Sequence, residues 1–182
     1  MNEKEFNKFY SQIDLPFQET KQVYLEKIFT TLEREFDLRK NSIQIFIDIG
    51  SGNGQVIIYS AIHYGIRSVG IEIDPILIIE AKKSIRLLKQ GNIYEKKILR
   101  KITLIHGDFY AHNLKNYDFI YIYSLPTMQK FLKHVLQTAK RGAIIISHMY
   151  PLKSLTHYLE LRLKMEHYKE NQEISTFFYR RI

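Results

Sequence analysis

Asp48-Ile49-Gly50-Ser51-Gly52-Asn53-Gly54 is the stretch of sequence that decides the fold. It follows a dense β-branched and aromatic run over 43–49, which is typical of a buried central strand. It leads into an apolar segment over 54–64 that predicts a helix. Three glycines at every second position permit positive φ angles and let a ligand approach the backbone where a Cβ would block it. The order of strand, glycine loop and helix therefore predicts a ligand-binding turn at the end of a buried strand.

The same alternation of strand and helix continues along the chain. The predicted strands are 43–49, 68–73, 102–106, 117–123 and 143–147, and the predicted helices are 20–36, 54–64, 75–89 and 127–140. Thr20 is a plausible N-cap of the first helix, and Pro75 suits the first turn of the helix over 75–89. Strands that alternate with helices indicate a parallel sheet covered on both faces.

The C-terminal segment has a different pattern. Leu159, Leu161, Leu163 and Met165 alternate with charged residues, which predicts a half-buried strand of period two. A turn at 170–172 then leads into a strand over 175–180, so this part is predicted to be an antiparallel hairpin at the sheet edge. The fold class is therefore α/β, with a Rossmann-like seven-stranded, mostly parallel sheet. Residues 1–18 are predicted to form an N-terminal arm and 19–182 a single domain.

Composition restricts the chemistry of this domain. The 182 residues include no Cys, which excludes a thiol nucleophile and a cysteine-ligated metal and fits a reducing, cytoplasmic location. The longest aliphatic stretches are far shorter than the ~20 apolar residues of a membrane span, and the N-terminus lacks the apolar region of a secretory signal. The formal net charge of +8 favours acidic partners, either nucleic acid or an acidic protein face.

The residue before the first glycine indicates which ligand the loop binds. A dinucleotide fingerprint has the spacing G-x-G-x-x-G and seats a pyrophosphate on the helix N-terminus, whereas the spacing here is G-x-G-x-G. A carboxylate at Asp48 would repel a pyrophosphate and attract an ammonium group. S-adenosylmethionine carries an ammonium and a sulfonium and no phosphate, so it is the predicted cofactor.

Two further acids follow the next two predicted strands. Glu72 lies 18 residues beyond Gly54, where an acid can accept hydrogen bonds from both ribose hydroxyls. Asp108 is placed to accept a hydrogen bond from an adenine amino group, and Phe109 is available to stack on the ring. Since the carboxyl ends of parallel strands share one edge, all three acids are expected to converge on one crevice.

These motifs together resemble the seven-strand class I S-adenosylmethionine-dependent methyltransferases. The resemblance covers roughly 43–182 and implies that the loop of Asp48 holds the methionine part, that Glu72 binds the ribose and that Asp108 binds the adenine. It also implies cofactor contacts by the following residues: Thr20, Gly50, Ser51, Gly52, Gly54, Ile73, Phe109 and Tyr123.

A narrower likeness is to the small archaeal protein lysine methyltransferases and their mitochondrial relatives that act on the ATP synthase c subunit. It rests on four motifs, which are Leu15-Pro16-Phe17-Gln18-Glu19-Thr20, Gly70-Ile71-Glu72-Ile73-Asp74, Tyr121-Ile122-Tyr123 with Pro126 soon after, and Ser147-His148. The sequence departs from that group at Glu19, where proline is usual, and at Asn53, where aspartate is usual.

The methyl acceptor is inferred by elimination and from the aromatic residues. The stretch Tyr123-Ser124-Leu125-Pro126-Thr127 lacks the Asn or Asp and paired prolines of enzymes that methylate nucleobase amines or glutamine, and the seven His show no metal-ligand spacing, so no metal is expected. Tyr121, Tyr123 and Tyr150 are candidates for an aromatic slot around a lysine side chain. His148 is the first candidate for a general base. A protein lysine is therefore the leading acceptor.

Two other functions remain open at this point. An RNA methyltransferase is favoured by the net charge and by the basic segment Lys96, Lys97, Arg100 and Lys101. A non-catalytic subunit that binds S-adenosylmethionine and supports a partner enzyme is the third hypothesis. The sequence makes no prediction of the oligomeric state.

Overall fold

A seven-stranded sheet flanked by helices makes up the computed structural model, which describes residues 19–123, 125–169 and 172–182. The strands are β1 (Ile45–Ile49), β2 (Arg67–Glu72), β3 (Ile102–His106), β4 (Phe119–Tyr123), β5 (Ile144–His148), β6 (Leu159–Lys169) and β7 (Gln172–Arg181). The helices are α1 (Gln22–Glu35), α2 (Gln55–Tyr64), α3 (Pro75–Gln90), α4 (Lys96–Leu99) and α5 (Gln129–Leu136). The predicted arm over 1–18 lies outside the described residues, as do residues 170 and 171 of the predicted C-terminal turn.

The strand order is β3-β2-β1-β4-β5-β7-β6. Strands β1 to β5 pair in parallel, while β7 runs antiparallel to both β5 and β6. The predicted seven-stranded, mostly parallel sheet is confirmed. The order reverses at β1, which pairs with β2 on one side and β4 on the other, and open α/β sheets bind ligands beyond the carboxyl end of such a switch point.

The sheet is buried on both faces. Alternate residues of β1 point to opposite sides, so Phe46 joins a cluster with α1 and α2, whereas Ile47 joins a second cluster with α5. Short 3₁₀ helices at Phe109–Ala111, Pro126–Met128 and Lys153–Leu155 complete the connections. None of the helices in the described part of the chain has the length and hydrophobicity that crossing a membrane requires.

The predicted N-cap at Thr20 is wrong. Helix α1 begins at Gln22, its N-cap is Lys21, and no side chain caps it. The Thr20 hydroxyl instead forms a buried 2.8 Å hydrogen bond with the Tyr121 hydroxyl, 101 residues away in sequence. A long-range partner has therefore replaced the local one that helix-capping rules favour.

The period-two pattern predicted for the first C-terminal strand is interrupted. The register of β6 shifts between Leu161 and Leu163, as in a β-bulge, where an extra residue reverses the faces that later side chains occupy. Leu159 packs in the α5 cluster, while Leu163 and Met165 pack against the α1 cluster. Leu161 is 51% exposed. The expectation of one continuous apolar face is therefore wrong.

Candidate active site

The glycine loop after β1 has the backbone conformation that its sequence predicts. Gly50, Gly52 and Gly54 all have positive φ angles, of 85°, 52° and 80°. The backbone N–H groups of Gly50 and Ser51 both donate to the Ile71 carbonyl at 2.9 Å, which fixes the loop to the end of β2. The loop is thus rigidly held at the switch point of the sheet.

Glu72 braces this loop from the neighbouring strand. Its Oε2 accepts a 2.8 Å hydrogen bond from the Gly52 N–H, and its Oε1 accepts from the N–H groups of Ile73 and Asp74 at 2.8 and 2.9 Å. A carboxylate offers about four acceptor positions, so one remains for a ligand after these three bonds. The predicted ribose contact stays a prediction, and the bracing role is one that the sequence pattern did not reveal.

Asp48 is a buried carboxylate facing the pocket that opens beside the loop. It lies between Gly70 of β2 and Tyr121 of β4, and only 2% of its surface is exposed. Among the described residues, none donates a hydrogen bond to its side chain. Burial, and secondarily the charge of Glu72, raises the pKa of this carboxyl well above its usual 3.8. A cation bound beside Asp48 would offset this desolvation.

The pocket is a cleft beside the glycine loop that is open to solvent. Six of the predicted site residues line it, namely Thr20, Asp48, Gly50, Ser51, Tyr121 and Tyr123. The hydroxyl of Ser51 is buried and has no hydrogen-bond partner among the described residues. Glu19 and Asp48 both line the pocket, whose lining includes no Lys or Arg. An unpartnered carboxylate, an unpartnered hydroxyl and a negative lining fit a cationic ligand with an ammonium and a carboxylate, as in the methionine part of S-adenosylmethionine.

Sequence reasoning missed four lining residues, Glu19, Asn53, Gln55 and Val56. Asn53 Nδ2 donates a 2.9 Å hydrogen bond to Glu19 Oε1. With its amide oriented to satisfy its surroundings, Gln55 Nε2 donates to the Thr20 carbonyl at 2.9 Å and to Glu19 Oε1 at 3.2 Å. Glu19 and Asn53 are the two departures from the narrower family pattern, and they are direct partners. Their joint departure from that pattern was the sequence signal that could have identified Glu19 and Asn53.

Replacing Asn53 with Asp should weaken cofactor binding by about 3- to 10-fold, the scale of one lost exposed hydrogen bond plus like-charge repulsion. The new carboxylate would face Glu19 and loosen the segment that carries Thr20 into the pocket. Isothermal titration calorimetry with S-adenosylmethionine measures the change. The matched control is the double variant Glu19→Gln/Asn53→Asp, which restores an amide–carboxylate pair and should recover most of the affinity. A double variant as weak as Asn53→Asp would contradict this role.

The predicted adenine-binding residues lie beside the loop but do not line the described pocket. Asp108 Oδ1 accepts a 2.8 Å hydrogen bond from the Tyr110 N–H and so caps the 3₁₀ helix that follows β3. Phe109 is 9% exposed and packs on Tyr110, with a centroid distance of 4.4 Å. A Cβ at Gly50 would lie 4.0 Å from the Phe109 ring, so this ring lies against the loop. The adenine roles of both residues, like the contact of Ile73, stay predictions.

The predicted catalytic residues form a layered aromatic group at the ends of β4 and β5. Tyr121 is fully buried, and burial raises its pKa well above 10 although the bond to Thr20 opposes this. Tyr123 is half-buried, and burial with the nearby Tyr150 raises its pKa. His148 is 2% exposed, its Nδ1 lies 2.8 Å from Thr176 Oγ1, and its ring centroid is 5.5 Å from that of Tyr123. The two tyrosines reach the pocket, and His148 packs beside them without lining it.

A family model of the ANTKMT methyltransferase domain matches residues 48–158, more than half of the chain. The chain belongs to this family. With the seven-stranded sheet, family membership confirms a class I S-adenosylmethionine-dependent methyltransferase and confirms S-adenosylmethionine as its cofactor. None of the curated proteins compared with the chain matched it.

Solved structures similar to this ANTKMT-family domain bear out the fold. An RNA methyltransferase from Salinibacter ruber, crystallised with S-adenosyl-L-homocysteine, has a TM-score of 0.68 and 21% identity over 90% of this chain and 93% of that one. Magnesium protoporphyrin IX methyltransferase from Synechocystis, with bound S-adenosylmethionine, has a TM-score of 0.69 and 15% identity over 100% and 93%. TYW2 from P. horikoshii, in complex with MeSAdo, has a TM-score of 0.61 and 18% identity, over 79% of this chain and 58% of that one.

The described residues of the ANTKMT-family domain contain no group of three His, Cys, Asp or Glu side chains close enough to hold a metal ion. The glycine loop, the buried Asp48 and the hydroxyls around them would hold the cofactor, and their contacts with it stay predictions. S-adenosylmethionine supplies an electrophilic methyl group when bound. Two acids, Glu19 and Asp48, and two tyrosines, Tyr121 and Tyr123, line the pocket in which the cationic end of this cofactor would lie.

Proposed function

We propose that this protein is a protein-lysine N-methyltransferase, which transfers the methyl group of S-adenosylmethionine to a lysine ε-amine. The observation that carries the proposal is the match of residues 48–158 to the ANTKMT domain, a family of protein lysine methyltransferases. The matched region includes the loop of Asp48 and both aromatic strand ends. The resemblance to the small archaeal protein lysine methyltransferases supports the same acceptor, and it rests in part on residues 15–20, which lie outside the matched region.

The tyrosines at the end of β4 and just after β5 support a slot for the aliphatic part of a lysine side chain. Met149 has a φ of 72°, a left-handed conformation that is unusual for a non-glycine residue and turns the chain sharply after β5. Ser147 Oγ donates a 2.6 Å hydrogen bond to the Tyr150 carbonyl and fixes this turn. Tyr150 thereby lies close enough to Tyr123 to raise its pKa. Two such rings suit an aliphatic stem and the ammonium at its end.

The chemistry assigned to the chain is positioning of the acceptor against the cofactor. A raised pKa keeps Tyr121 and Tyr123 protonated at neutral pH, so neither phenol acts as the base that removes the lysine proton. His148 is enclosed, and the open pocket gives the acceptor ammonium access to water. We infer that the lysine loses its proton to solvent as it enters, and that the tyrosines then align its lone pair with the methyl group. The Thr20 hydroxyl fixes the Tyr121 ring during this alignment.

Replacing Tyr123 with Ala should lower kcat/KM for the protein substrate by about 10- to 100-fold, because the slot loses its cation–π and apolar contacts. Replacing Tyr123 with Phe should retain most of kcat/KM, since the ring remains. Steady-state kinetics with labelled cofactor measure both variants, and calorimetry measures their cofactor affinity separately. Equal losses in the two variants would contradict the slot and assign the role to the hydroxyl.

The acceptor class is tested by incubating the protein and a cell extract with methyl-labelled S-adenosylmethionine and splitting the product between protease and nuclease digestion. Label released by protease, and located on lysine by mass spectrometry, is the expected result. The matched control is Asp48→Asn, which should reduce the label to background. Label released by nuclease would replace the lysine proposal with RNA methylation, and intact cofactor binding without any label would favour the non-catalytic subunit.

The segment that favoured RNA in the sequence lies away from the pocket. Helix α4 and the residues after it lead into the start of β3, at the edge of the sheet opposite the strand ends that carry Asp48 and Glu72. Lys97 forms a 2.8 Å ion pair with Glu95, and Lys101 Nζ donates to the Gly65 carbonyl. An RNA held only by this segment would not bring a base to the methyl group. This geometry favours the lysine proposal over the RNA alternative.

A further inference from the structure

The outer face of helix α3 combines exposed aliphatic side chains with exposed cations. Its inner face is buried through Ile78, Ala81 and Ile85. On the outer side, Ile76 and Ile79 are each 65% exposed and Leu87 is 57% exposed. Exposed apolar residues scattered singly need no explanation, but three on one helix face form a stripe. We call this surface the α3 outer face, defined by Ile76, Ile79, Lys82, Lys83, Arg86, Leu87 and Lys89.

Helix geometry places these residues together. At 100° per residue, Ile76, Ile79, Lys83 and Leu87 fall within an arc of about 80°, so they form one row along the helix. Lys83 lies within the row and Arg86 about 20° beyond its Ile79 edge, while Lys82 and Lys89 lie about 60° and 80° beyond that edge, on the flank between the row and the buried face. All four are exposed. Among the described residues, none of the four forms an ion pair, and Glu80 is the one acid of the helix.

We propose that the α3 outer face docks onto the surface of an anionic lipid bilayer. A helix lying in the interface buries an apolar row among the acyl chains while its Lys and Arg side chains reach out to the lipid headgroups. Each cation near an anionic bilayer adds attraction, and the four here act together because they lie on one helix. The α3 outer face has both elements in the required arrangement.

Two other occupants fit this surface less well. A second copy of the chain would bring four cations against four cations around a two-fold axis, which is repulsive. Single-stranded RNA is held by cations together with aromatic rings that stack on bases, whereas the exposed apolar residues here are aliphatic. Charge complementarity together with the aliphatic row therefore favours the bilayer.

Docking would fix the orientation of the cofactor pocket. Asp74 is the N-cap of α3, and its Oδ1 accepts a 2.8 Å hydrogen bond from the Ile76 N–H. The Asp74 N–H in turn donates to Glu72, which braces the glycine loop. The α3 outer face and the pocket therefore belong to one rigid unit, and a bilayer bound by the helix would hold the pocket at a set distance from its surface. This inference concerns a second surface and does not depend on the identity of the methyl acceptor.

Co-sedimentation with vesicles tests the docking surface. The wild-type protein should bind vesicles of phosphatidylcholine mixed with phosphatidylglycerol, and should bind pure phosphatidylcholine at least about 10-fold more weakly. The apolar variant Ile76→Ser/Ile79→Ser/Leu87→Ser and the charge variant Lys82→Gln/Lys83→Gln/Arg86→Gln/Lys89→Gln should each lose at least about 10-fold in vesicle binding. The matched control is Ile43→Ser/Lys115→Gln, which changes an exposed aliphatic residue and an exposed cation elsewhere and should bind like the wild type.

Cofactor affinity measured by calorimetry shows whether each variant is folded, since the substituted side chains point away from the pocket. Wild-type vesicle binding by the folded apolar variant would overturn the proposal, because charge alone would then explain the attraction. Failure of the wild type to bind anionic vesicles would overturn it as well. Single-stranded RNA bound more tightly than vesicles, and weakened only in the charge variant, would assign the surface to nucleic acid. A dimer in sedimentation velocity that the apolar variant abolishes would assign it to a second copy.

Discussion

Replacing Asp48 with Asn is expected to weaken S-adenosylmethionine binding by about 100-fold, while the apoprotein stays at least as stable as the wild type at pH 7. The carboxylate is buried and faces a pocket without cations, so its charge is useful only when a ligand supplies the opposite charge. A charge-assisted hydrogen bond of this kind contributes about 1.5 to 3 kcal/mol, which corresponds to a 10- to 150-fold change in affinity. Asparagine retains the size of Asp48 but not its charge.

The pH dependence of the apoprotein should identify the same group. The pKa of Asp48 is raised in the folded state, so the folded chain binds this proton more tightly than the unfolded chain does. The contribution of Asp48 to stability is therefore fully present below pH 3.8 and is lost as the pH rises through the folded-state pKa. Conversely, cofactor binding favours the ionised carboxylate, so it should release a proton and strengthen as the pH rises through that pKa.

Denaturant unfolding as a function of pH measures the first effect, and calorimetry in buffers of different ionisation enthalpy measures the second. Asp48→Asn should remove both. Asp37→Asn is the matched control, because Asp37 is an exposed carboxylate with a positive φ that Asn also adopts readily. Cofactor affinity in Asp48→Asn within threefold of the wild type would show that another group holds the ammonium.

Replacing Glu72 with Ala should have the second large effect, on stability as well as on binding. Three backbone N–H groups, those of Gly52, Ile73 and Asp74, would lose their acceptor at a site where Glu72 is buried. Leaving buried donors unsatisfied costs about 1 to 3 kcal/mol each, and water that enters the cavity will satisfy some of them, so a loss of about 2 to 4 kcal/mol in the free energy of unfolding is expected. The glycine loop would also lose its brace, and cofactor affinity should fall by at least about 30-fold.

The variant Glu72→Gln separates the effect of the hydrogen bonds to the loop from the effect of the negative charge. Its amide oxygen can still accept from Ile73 and Asp74, while its NH₂ group would face the Gly52 N–H and lose that one bond. Stability should therefore fall by less than in Glu72→Ala, and binding should be intermediate. Urea unfolding and calorimetry measure the pair of variants. Glu72→Ala with unchanged stability would refute the bracing role, whatever happens to the affinity.

Sequence rules succeeded where the physical requirement is local. The conformation of Gly50, Gly52 and Gly54 follows from the absence of a Cβ, and the strand and helix of the loop follow from apolar periodicity over ten or so residues. S-adenosylmethionine was likewise inferred as the cofactor from Asp48 and the glycine spacing alone. The same reasoning failed in β6, where a bulge after Leu161 moved the later side chains to the other face.

The sequence by itself determined the order of strands and helices, the glycine loop and the acid directly before it, because each depends on neighbours within a few positions. Only the tertiary structure decided that Thr20 bonds to Tyr121, that Asn53 bonds to Glu19, and that Glu72 holds the loop. Those contacts join residues 20 to 101 positions apart, and they depend on the strand order, which places β1 between β2 and β4, and on the segment before α1 that lies against the loop and β4. No local pattern encodes such a pairing, since it is set by which strands meet in the sheet.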